Sequence, residues 1–303
     1  MSANALLQAR NLDLPPRDAM LRRAPSVSRF WNDYRELLAE AWTQWEASAD
    51  VPALPPALTL LDPALRAAIE NAWRDPGAES DVRALWRELS SGVFVAPFFD
   101  PERLAGLRTY LERVADASIP LRPPYGIALN RGGAMLDRRS EGYLAAPAFQ
   151  HLYAEIIGQV MRPVARLLFP EVHGYDDQTF GFSIRYEPNT DASLQPHSDA
   201  SSVTLNVNMN LPHEGYEGSQ VDFLDPATGR VTPLRFEPGV AAIHRGLIPH
   251  ATHPITSGSR SNLVLWLYGA DGRTPPRGGH TAPRSAAERW SPVPPATGSF
   301  APF

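Results

Sequence analysis

Alternating apolar and polar positions predict that residues 203–210 form a β-strand with two different faces. One face is apolar and carries Val203, Leu205, Val207 and Met209. The other face is polar and carries Thr204, Asn206, Asn208 and Asn210. Asn is a poor strand former, and an exposed strand more often has Lys, Glu or Arg on its wet face. Three alternate Asn residues therefore indicate a specific role for the polar face.

Residues 1–90 are predicted to form a helical N-terminal extension, which holds five of the seven Trp residues. The stretch 35–49 has apolar residues at helical spacing. Asp62 followed by Pro63 is typical of a helix start, and Gly77 is predicted to mark the end of that helix. We expect these helices to pack against the rest of the chain. A lid or an interface is the alternative.

Residues 91–270 are predicted to form the main domain, which begins with a short buried strand at 92–96. A helix is expected from Asp100 to about residue 117. A second helical stretch is expected from about residue 149 to 168, with Pro163 breaking or kinking it.

Residues 178–266 change to short strands separated by Gly, Pro and Asn/Asp turns, as in a β-sandwich or barrel. Residues 271–303 are rich in Pro and Gly, and we expect an extended or mobile C-terminal tail.

The composition removes several kinds of chemistry. The absence of Cys excludes thiol nucleophiles, iron–sulfur clusters and Cys-type zinc sites. All 28 basic residues are Arg, so Schiff-base and P-loop lysine chemistry are excluded as well. Any anion held by a charged side chain must be held by Arg or by protonated His.

The charge distribution argues against nucleic-acid and membrane partners. The net charge is −5, and there is no Lys-rich or Arg-rich run. No segment approaches the roughly 18 apolar residues of a membrane span. The first residues lack the basic-then-apolar pattern of a secretory signal. We therefore expect a cytoplasmic protein, and the sequence leaves its oligomeric state open.

Candidate metal ligands lie in the strand-rich part, where five of the eight His residues fall between His197 and His253. His197 and Asp199 are two positions apart, so on an extended backbone they point to one side. A third ligand from a distant strand would complete two His and one carboxylate on one face of an octahedron. Non-haem Fe(II) oxygenases use such a set because the remaining positions stay open.

A second group of candidates follows in residues 239–267. His250 and Arg260 are ten residues apart and bracket a predicted hairpin, which lets both approach one pocket. A guanidinium binds a carboxylate through two parallel hydrogen bonds. His253 is the rival third ligand, although its position before Pro254 favours a loop.

Taken together, these residues resemble the iron- and 2-oxoglutarate-dependent dioxygenases, in the prolyl/lysyl-hydroxylase-like branch. The densest parts are RYEPNTDASLQPHSDASSVTLNVNMN (185–210) and HRGLIPHATHPITSGSRSNLVLWL (244–267). They are similar to the catalytic domain of procollagen lysyl hydroxylases and to the "2-oxoglutarate and iron-dependent oxygenase domain-containing" proteins. RPPYG (122–126), LLFPEV (167–172) and HRG (244–246) are further similarities to the second group.

The resemblance implies an α+β fold, with a double-stranded β-helix (jelly-roll) core, the N-terminal extension and flanking helices. It implies His197, Asp199 and His250 as iron ligands and Arg260 as the residue that binds the distal carboxylate of 2-oxoglutarate. Fe(II), 2-oxoglutarate and O₂ would take part, and ascorbate commonly supports this branch.

Tyr186 and Asn206 fall where the lysyl-hydroxylase pattern places further co-substrate contacts, although both could be purely structural. The Asn face would line the mouth of the roll. Because His197 and Asp199 share parity with Val203, a turn or bulge at 200–202 must reset the register.

Several other residues have open roles. We expect His244 to be a structural hydrogen-bonding group near the metal, His213 to be a loop residue, and His151, His173 and His280 to lie at the surface or in packing. Arg122 and Asn130 are weaker candidates for contacts with co-substrate or substrate. The sequence departs from the family at EGSQVDF (217–223), where Glu-Gly-Gly is common.

The implied reaction is hydroxylation of an amino-acid-like, peptidyl or natural-product substrate, with release of succinate and CO₂. Asp199 argues against the halogenating relatives, which have Gly or Ala there. The nucleobase-repair relatives carry a second Arg six residues after the first, where this chain has Trp266. A cupin-like module, a zinc enzyme with the same three ligands, or an idle interaction domain are the alternatives.

Overall fold

The computed structural model describes residues 4–48, 50–124, 131–276, 284–293 and 300–302. Its α-helices are α1 (Ala5–Arg10), α2 (Arg17–Leu21), α3 (Pro25–Asp33), α4 (Arg35–Glu46), α5 (Ala57–Leu60), α6 (Pro63–Arg74), α7 (Glu79–Leu85), α8 (Pro101–Asp116), α9 (Pro147–Glu155), α10 (Arg162–Leu168) and α11 (Ala286–Arg289). Its strands are β1 (Arg87–Ser90), β2 (Val93–Pro97), β3 (Gln178–Tyr186), β4 (Leu194–His197), β5 (Val203–Asn208), β6 (Tyr216–Gly218), β7 (Val221–Leu224), β8 (Val231–Leu234), β9 (Val240–Arg245), β10 (His250–Thr252), β11 (Ile255–Gly258) and β12 (Arg260–Tyr268).

The strands form two main antiparallel sheets, and the chain alternates between them. The larger sheet has the order β1-β2-β9-β5-β12-β3, and the smaller sheet has the order β4-β10-β7-β8. From β3 onward the chain passes from one sheet to the other and back, with β6 and β11 paired beside them. This is the strand order of a jelly roll, so the predicted α+β fold with a double-stranded β-helix core is confirmed.

The alternating strand at 203–210 has the two faces that its pattern predicts. Its apolar side chains pack in one large core with α4, α8, α9 and α10. Its polar side chains point between the two sheets, and β5 begins only after the irregular segment 198–202. The predicted reset of the register before Val203 is therefore present.

Trp side chains anchor the N-terminal helices to this core. Trp31, Trp42 and Trp86 are almost completely buried, in the same cluster as Leu205 of β5. Their position supports packing as the role of these helices. The division of the chain at residues 90 and 270 stays a prediction.

Helix ends follow local signals. The side chain of Asp62 accepts hydrogen bonds from the backbone N–H groups of Ala64 and Leu65, and Pro63 occupies the first turn. The helix ends at Arg74, earlier than predicted from Gly77, because Asp75 adopts an extended conformation. A 3₁₀ turn, Pro76–Ala78, then leads into α7.

The predicted break at Pro163 is a π-helical turn at Ile156–Met161 that joins α9 to α10. Pro163 has no N–H to donate to the carbonyl oxygen of Gln159, four residues earlier. The indole of Trp73 donates to that oxygen instead, at 2.8 Å. A side chain of the N-terminal extension thus satisfies the carbonyl that the proline leaves free.

The prediction of an extended tail is wrong for α11. Ser285 and Glu288 form a capping box that starts this short helix. Glu79 pairs with Arg289 and accepts a hydrogen bond from the indole of Trp290 at 3.0 Å. The capping pattern was visible in the sequence, but the partner in the N-terminal extension was not.

Candidate metal centre and co-substrate pocket

The predicted metal ligands meet at the ends of two paired strands of the smaller sheet. His197 ends β4 and His250 begins β10, and the antiparallel register places them opposite each other. Asp199 follows in the turn before β5. Within the described ranges, these three residues form the one group of metal-ligating side chains whose ligand atoms all lie within 4.8 Å of one another.

Backbone carbonyls fix the orientation of both imidazoles. Nδ1 of His197 donates to the carbonyl of Gln195 at 2.8 Å, and Nδ1 of His250 donates to that of Ile248 at 3.1 Å. The lone pair of each Nε2 is therefore available to a metal. The Nε2 atoms lie 3.6 Å (His197) and 3.9 Å (His250) from Oδ1 of Asp199. These separations exceed hydrogen-bond length and leave space between the three atoms.

Two contacts orient the Asp199 carboxylate. Its backbone N–H donates to the carbonyl of Gly246 at 2.8 Å. The hydroxyl of Thr204 donates to Oδ2 at 2.5 Å and is hydrogen-bonded to the hydroxyl of Ser201 at 2.9 Å. Oδ1 is left to face the two imidazoles. Gly246 itself packs so tightly that a Cβ there would lie 2.0 Å from the carbonyl oxygen of Ser201.

A third imidazole stands behind the ligands. His244 is 1% exposed, and its ring centre lies 4.9 Å from that of His250. Burial, and secondarily the neighbouring His250, lowers the pKa of His244 to about 4. Burial and His250 also lower the pKa of His197. The lowered pKa values favour the uncharged form of His244 and His197, and the uncharged imidazole is the form that binds metals. His244 has the position that the sequence predicts for a structural group.

Arg260 supplies a buried cation with unused hydrogen-bond donors. It is 1% exposed at the start of β12, and its guanidinium lies over the rings of Tyr186 (4.6 Å) and Phe236 (5.6 Å). Nη2 is 3.5 Å from the hydroxyl of Thr252. Nε and Nη1 are buried and have no hydrogen-bond partner among the described residues. Burial lowers the pKa of Arg260, and no described carboxylate pairs with it.

These unused donors fit a carboxylate ligand. A buried donor without a partner is destabilising, and a buried charge without a counter-charge is more so. Thr252 is two residues after the metal ligand His250, on the same strand. The anion site is thus built next to the metal site.

Tyr186 and Asn206 both lie in the interior of the roll. Tyr186 pairs with Arg260 across β3 and β12, and burial raises the pKa of its hydroxyl. Oδ1 of Asn206 accepts a hydrogen bond from Nδ2 of Asn262 at 2.6 Å. Both are positioned near the pocket, and their contacts with a co-substrate stay predictions.

The remaining candidates lie elsewhere. His253 is half exposed and pairs with Asp222 through its Nε2, at 2.7 Å. His213 is exposed in the turn after β5. Arg122 pairs with Glu141 in a cleft beside the N-terminal helices. Asn130, His280 and part of the RPPYG segment fall outside the described residues.

Three polar residues of the site were not singled out from the sequence. They are Thr204, Thr252 and Asn262. Asn262 is two residues after Arg260, so strand parity could have identified it. Thr204 is on the polar face that attracted attention for its Asn residues. Thr252 could be placed near Arg260 only with knowledge of the strand pairing.

The departure from Glu-Gly-Gly has a backbone consequence. Gly218 has φ +77° and Ser219 has φ +55°, both in the left-handed region that favours glycine. A Cβ at Gly218 would lie 2.3 Å from the carbonyl oxygen of Pro254. The chain therefore has a serine in a conformation that a second glycine would adopt more easily.

None of the helices in the described ranges is both long and apolar enough to span a bilayer.

No protein-family model matches the chain. A 2-oxoglutarate and iron-dependent oxygenase domain-containing protein of Arabidopsis thaliana is 26% identical over 266 residues, which cover 82% of this chain and 62% of the relative. Procollagen-lysine,2-oxoglutarate 5-dioxygenase 1 of Rattus norvegicus is 30% identical over 121 residues, which cover 39% of this chain and 16% of the relative.

The chain thus spans less than two thirds of the length of these relatives. The solved structure of a prolyl 4-hydroxylase from Phytophthora capsici matches with a TM-score of 0.49 and 15% identity, covering 81% of this chain and 80% of that chain. The sequence relatives confirm the resemblance on which the site residues were predicted. The chain is related to the 2-oxoglutarate and iron-dependent oxygenase domain-containing proteins and, over a shorter stretch, to the procollagen lysine hydroxylases.

Proposed function

We propose that this chain is an Fe(II)- and 2-oxoglutarate-dependent dioxygenase that hydroxylates an amino-acid-like, peptidyl or natural-product substrate. The observation that carries the proposal is the buried guanidinium of Arg260 beside His197, Asp199 and His250, because its Nε and Nη1 have no hydrogen-bond partner among the described residues. The four residues together match the needs of a ferrous ion and a dicarboxylate co-substrate.

The donor set fits iron. Two imidazole nitrogens and one carboxylate oxygen are typical ligands of non-haem Fe(II), and they leave coordination positions open. When bound, iron and 2-oxoglutarate with O₂ supply oxidative decarboxylation to succinate and CO₂, coupled to oxidation of the substrate. Thr204 would hold the Asp199 carboxylate in position, and the two backbone carbonyls would hold the imidazoles.

The pocket residues fit 2-oxoglutarate. Arg260 would bind the distal carboxylate through Nε and Nη1, the two nitrogens that have no partner among the described residues. The rings of Tyr186 and Phe236 exclude water from the guanidinium and so strengthen this ion pair. Asn206 would add an amide contact from the polar face of β5.

The same observation weighs against a zinc enzyme or a cupin-like metal module. Neither needs a buried cation behind its three ligands. An idle interaction domain needs neither the three metal ligands nor the buried cation.

The substrate class rests on weaker support. Procollagen-lysine,2-oxoglutarate 5-dioxygenase 1 is named for a lysine residue of procollagen, which favours an amino-acid-like or peptidyl substrate for this chain. The net charge of −5 and the lack of a basic run favour the absence of a nucleic-acid partner. We further propose that ascorbate supports turnover and that the protein is cytoplasmic.

The test is succinate formation from 2-oxoglutarate across amino acids, peptides and biosynthetic intermediates, with Fe(II) and O₂. We expect succinate release that at least one substrate stimulates. Asp199→Ala should abolish it, whereas Asp225→Ala, in an exposed turn, should not. Equal release by both variants would contradict the proposal.

A further inference from the structure

Two short sequence segments that the metal centre does not account for contact each other behind it. They are LLFPEV (167–172) and HRG (244–246). Nε of Arg245 donates a hydrogen bond to the carboxylate of Glu171, and the guanidinium lies over the ring of Phe169, 4.9 Å from its centre. We name these three side chains the Arg245 clasp.

The clasp joins parts of the chain that are far apart in sequence. Glu171 lies in the 3₁₀ turn that follows α10, and Arg245 is the last residue of β9. Gly92 closes another side, because a Cβ there would lie 2.5 Å from Nη1 of Arg245. The carbonyl of Gly92 also accepts the backbone N–H of Arg245 at 3.2 Å. An acid, an aromatic ring and a glycine thus enclose one guanidinium.

The turn 245–248 begins at the clasp and holds two of the three predicted metal ligands. The carbonyl of Gly246 accepts the backbone N–H of Asp199 at 2.8 Å. The carbonyl of Ile248 accepts a hydrogen bond from Nδ1 of His250 at 3.1 Å. A shift of this turn would therefore move a carboxylate and an imidazole of the metal centre together.

Arg245 connects the clasp to the turn through its main chain. Its carbonyl accepts the N–H of Ile248 at 3.1 Å and a hydrogen bond from Nδ1 of the buried His244 at 3.0 Å. The N–H of Gly246 donates to the carbonyl of Ser202 at 3.2 Å. The side chain of Arg245 is thus fixed outside the roll, while its backbone sets the turn inside it.

We propose that Glu171 and Arg245 are positioning residues of the metal centre. Their ion pair fixes the turn 245–248, and the turn orients Asp199 and His250. This role toward a metal rests on the proposed function.

The expected size of the effect follows from the distance of the pair from the metal. Hydrogen-bond partners of metal ligands typically contribute about 10- to 100-fold to metal affinity. The clasp acts one contact further out, and its charged side chains are 33% (Arg245) and 24% (Glu171) exposed. We therefore expect Glu171→Ala to weaken metal binding by about fivefold.

The first test is calorimetric titration of the full chain with Co(II), which replaces Fe(II) at sites of nitrogen and oxygen ligands and is not oxidised by air. Glu171→Ala should show the fivefold loss. Glu70→Ala is the control, since it breaks the ion pair with Arg66 on α6, at 2.8 Å, and should change the affinity less than about twofold. A loss of general stability alone would not weaken binding to the folded protein, so equal affinities of the two variants would overturn the proposal.

Further variants test whether Glu171 acts through Arg245. Glu171→Gln keeps an oxygen acceptor for Nε and should lose less affinity than Glu171→Ala. The double variant Glu171→Ala/Arg245→Met should bind Co(II) within about twofold of Arg245→Met alone, because the two residues act as one unit. Additive losses, or a larger loss in Glu171→Gln than in Glu171→Ala, would contradict the mechanism.

A second measurement needs no metal and separates this proposal from the proposed function. In the nuclear magnetic resonance spectrum of the metal-free chain, Glu171→Ala should move the amide proton of Asp199 upfield, because its hydrogen bond to Gly246 lengthens. Glu70→Ala should leave this resonance in place. An unmoved Asp199 resonance in Glu171→Ala would overturn the positioning role, whereas absence of Co(II) binding by the unaltered chain would instead contradict the proposed function.

Discussion

Replacement of Arg260 by Met separates the anchoring of 2-oxoglutarate from the binding of iron. Met fills much of the volume of the Arg stem but cannot pair with a carboxylate. Nε and Nη1 of Arg260 are buried and without partners among the described residues. We therefore expect the variant to lose two charge-assisted hydrogen bonds to the co-substrate. It should lose no ion pair within the described part of the protein, because no described carboxylate pairs with Arg260.

The magnitude follows from the burial of this pair. Loss of one partner of a desolvated charge pair typically weakens binding by about 2–5 kcal/mol. The lower figure corresponds to about 30-fold in Kd. At a 2-oxoglutarate concentration of about 100 Kd, the ligand stabilises the unaltered protein by roughly 2.7 kcal/mol, and the variant by about 0.9 kcal/mol.

The ligand-free protein should respond differently. An unpaired buried charge is destabilising, and its replacement by an apolar side chain is often neutral or stabilising. Arg260→Met should therefore leave the melting temperature without ligand unchanged or higher. Most substitutions of a fully buried residue are instead expected to lower the melting temperature.

The assay is thermal unfolding under nitrogen with Fe(II), with and without 2-oxoglutarate. At about 2 °C per kcal/mol, the expected ligand-induced shifts are roughly 5 °C for the unaltered protein and about 2 °C for Arg260→Met. Arg230→Met, in an exposed turn, is the control and should retain the full shift. An equal shift in Arg260→Met, or a loss of iron binding as large as the loss of 2-oxoglutarate binding, would refute the assigned role.

Three further predictions concern the surroundings of the site and the pH dependence of stability. Thr204→Val removes the hydroxyl that donates to Asp199 and should weaken Fe(II) binding by about 10-fold or more in a metal titration; an unchanged affinity would show that the hydroxyl does not orient the carboxylate. Gly218→Ala should destabilise the protein by about 1–2 kcal/mol or more in urea unfolding, because Gly218 has a positive φ and lies close to the Pro254 carbonyl. Ser219→Gly should be neutral or stabilising by up to about 1 kcal/mol. If both variants destabilised the protein, the backbone argument would be contradicted. Burial, and secondarily the charge of Arg166, lowers the pKa of His173. As pH falls through about 6.5, His173 is therefore protonated in the unfolded chain before it is protonated in the folded chain, and the free energy of unfolding decreases. His173→Gln should lessen the decrease in urea midpoint between pH 7.5 and 5.5, and an identical decrease would contradict this assignment.

The sequence predicted part of the triad from local spacing, and the family resemblance supplied His250 as the third ligand. His197 and Asp199 are two positions apart, which predicted that they point to one side. The hairpin predicted between His250 and Arg260 is wrong, because β10 and β12 lie in different sheets and do not pair with each other. The jelly roll followed from a resemblance, and the strand order confirms it. The polar face of β5 was identified from alternation alone.

Features that depend on distant partners could not be predicted. The carbonyl of Gln159 is satisfied by Trp73, 86 residues away in the chain. Glu79 and Arg289 are 210 residues apart and fasten α11 to the N-terminal extension.

The most direct test of the central claim is visible absorption spectroscopy without O₂, on the full chain titrated with Fe(II) and then 2-oxoglutarate. If the three side chains hold one ferrous ion with positions left for the co-substrate, a weak charge-transfer band should grow with 2-oxoglutarate and saturate. Asp199→Ala should lose the band, and Asp225→Ala should keep it. No band in the unaltered protein, or an undiminished band in Asp199→Ala, would contradict the account.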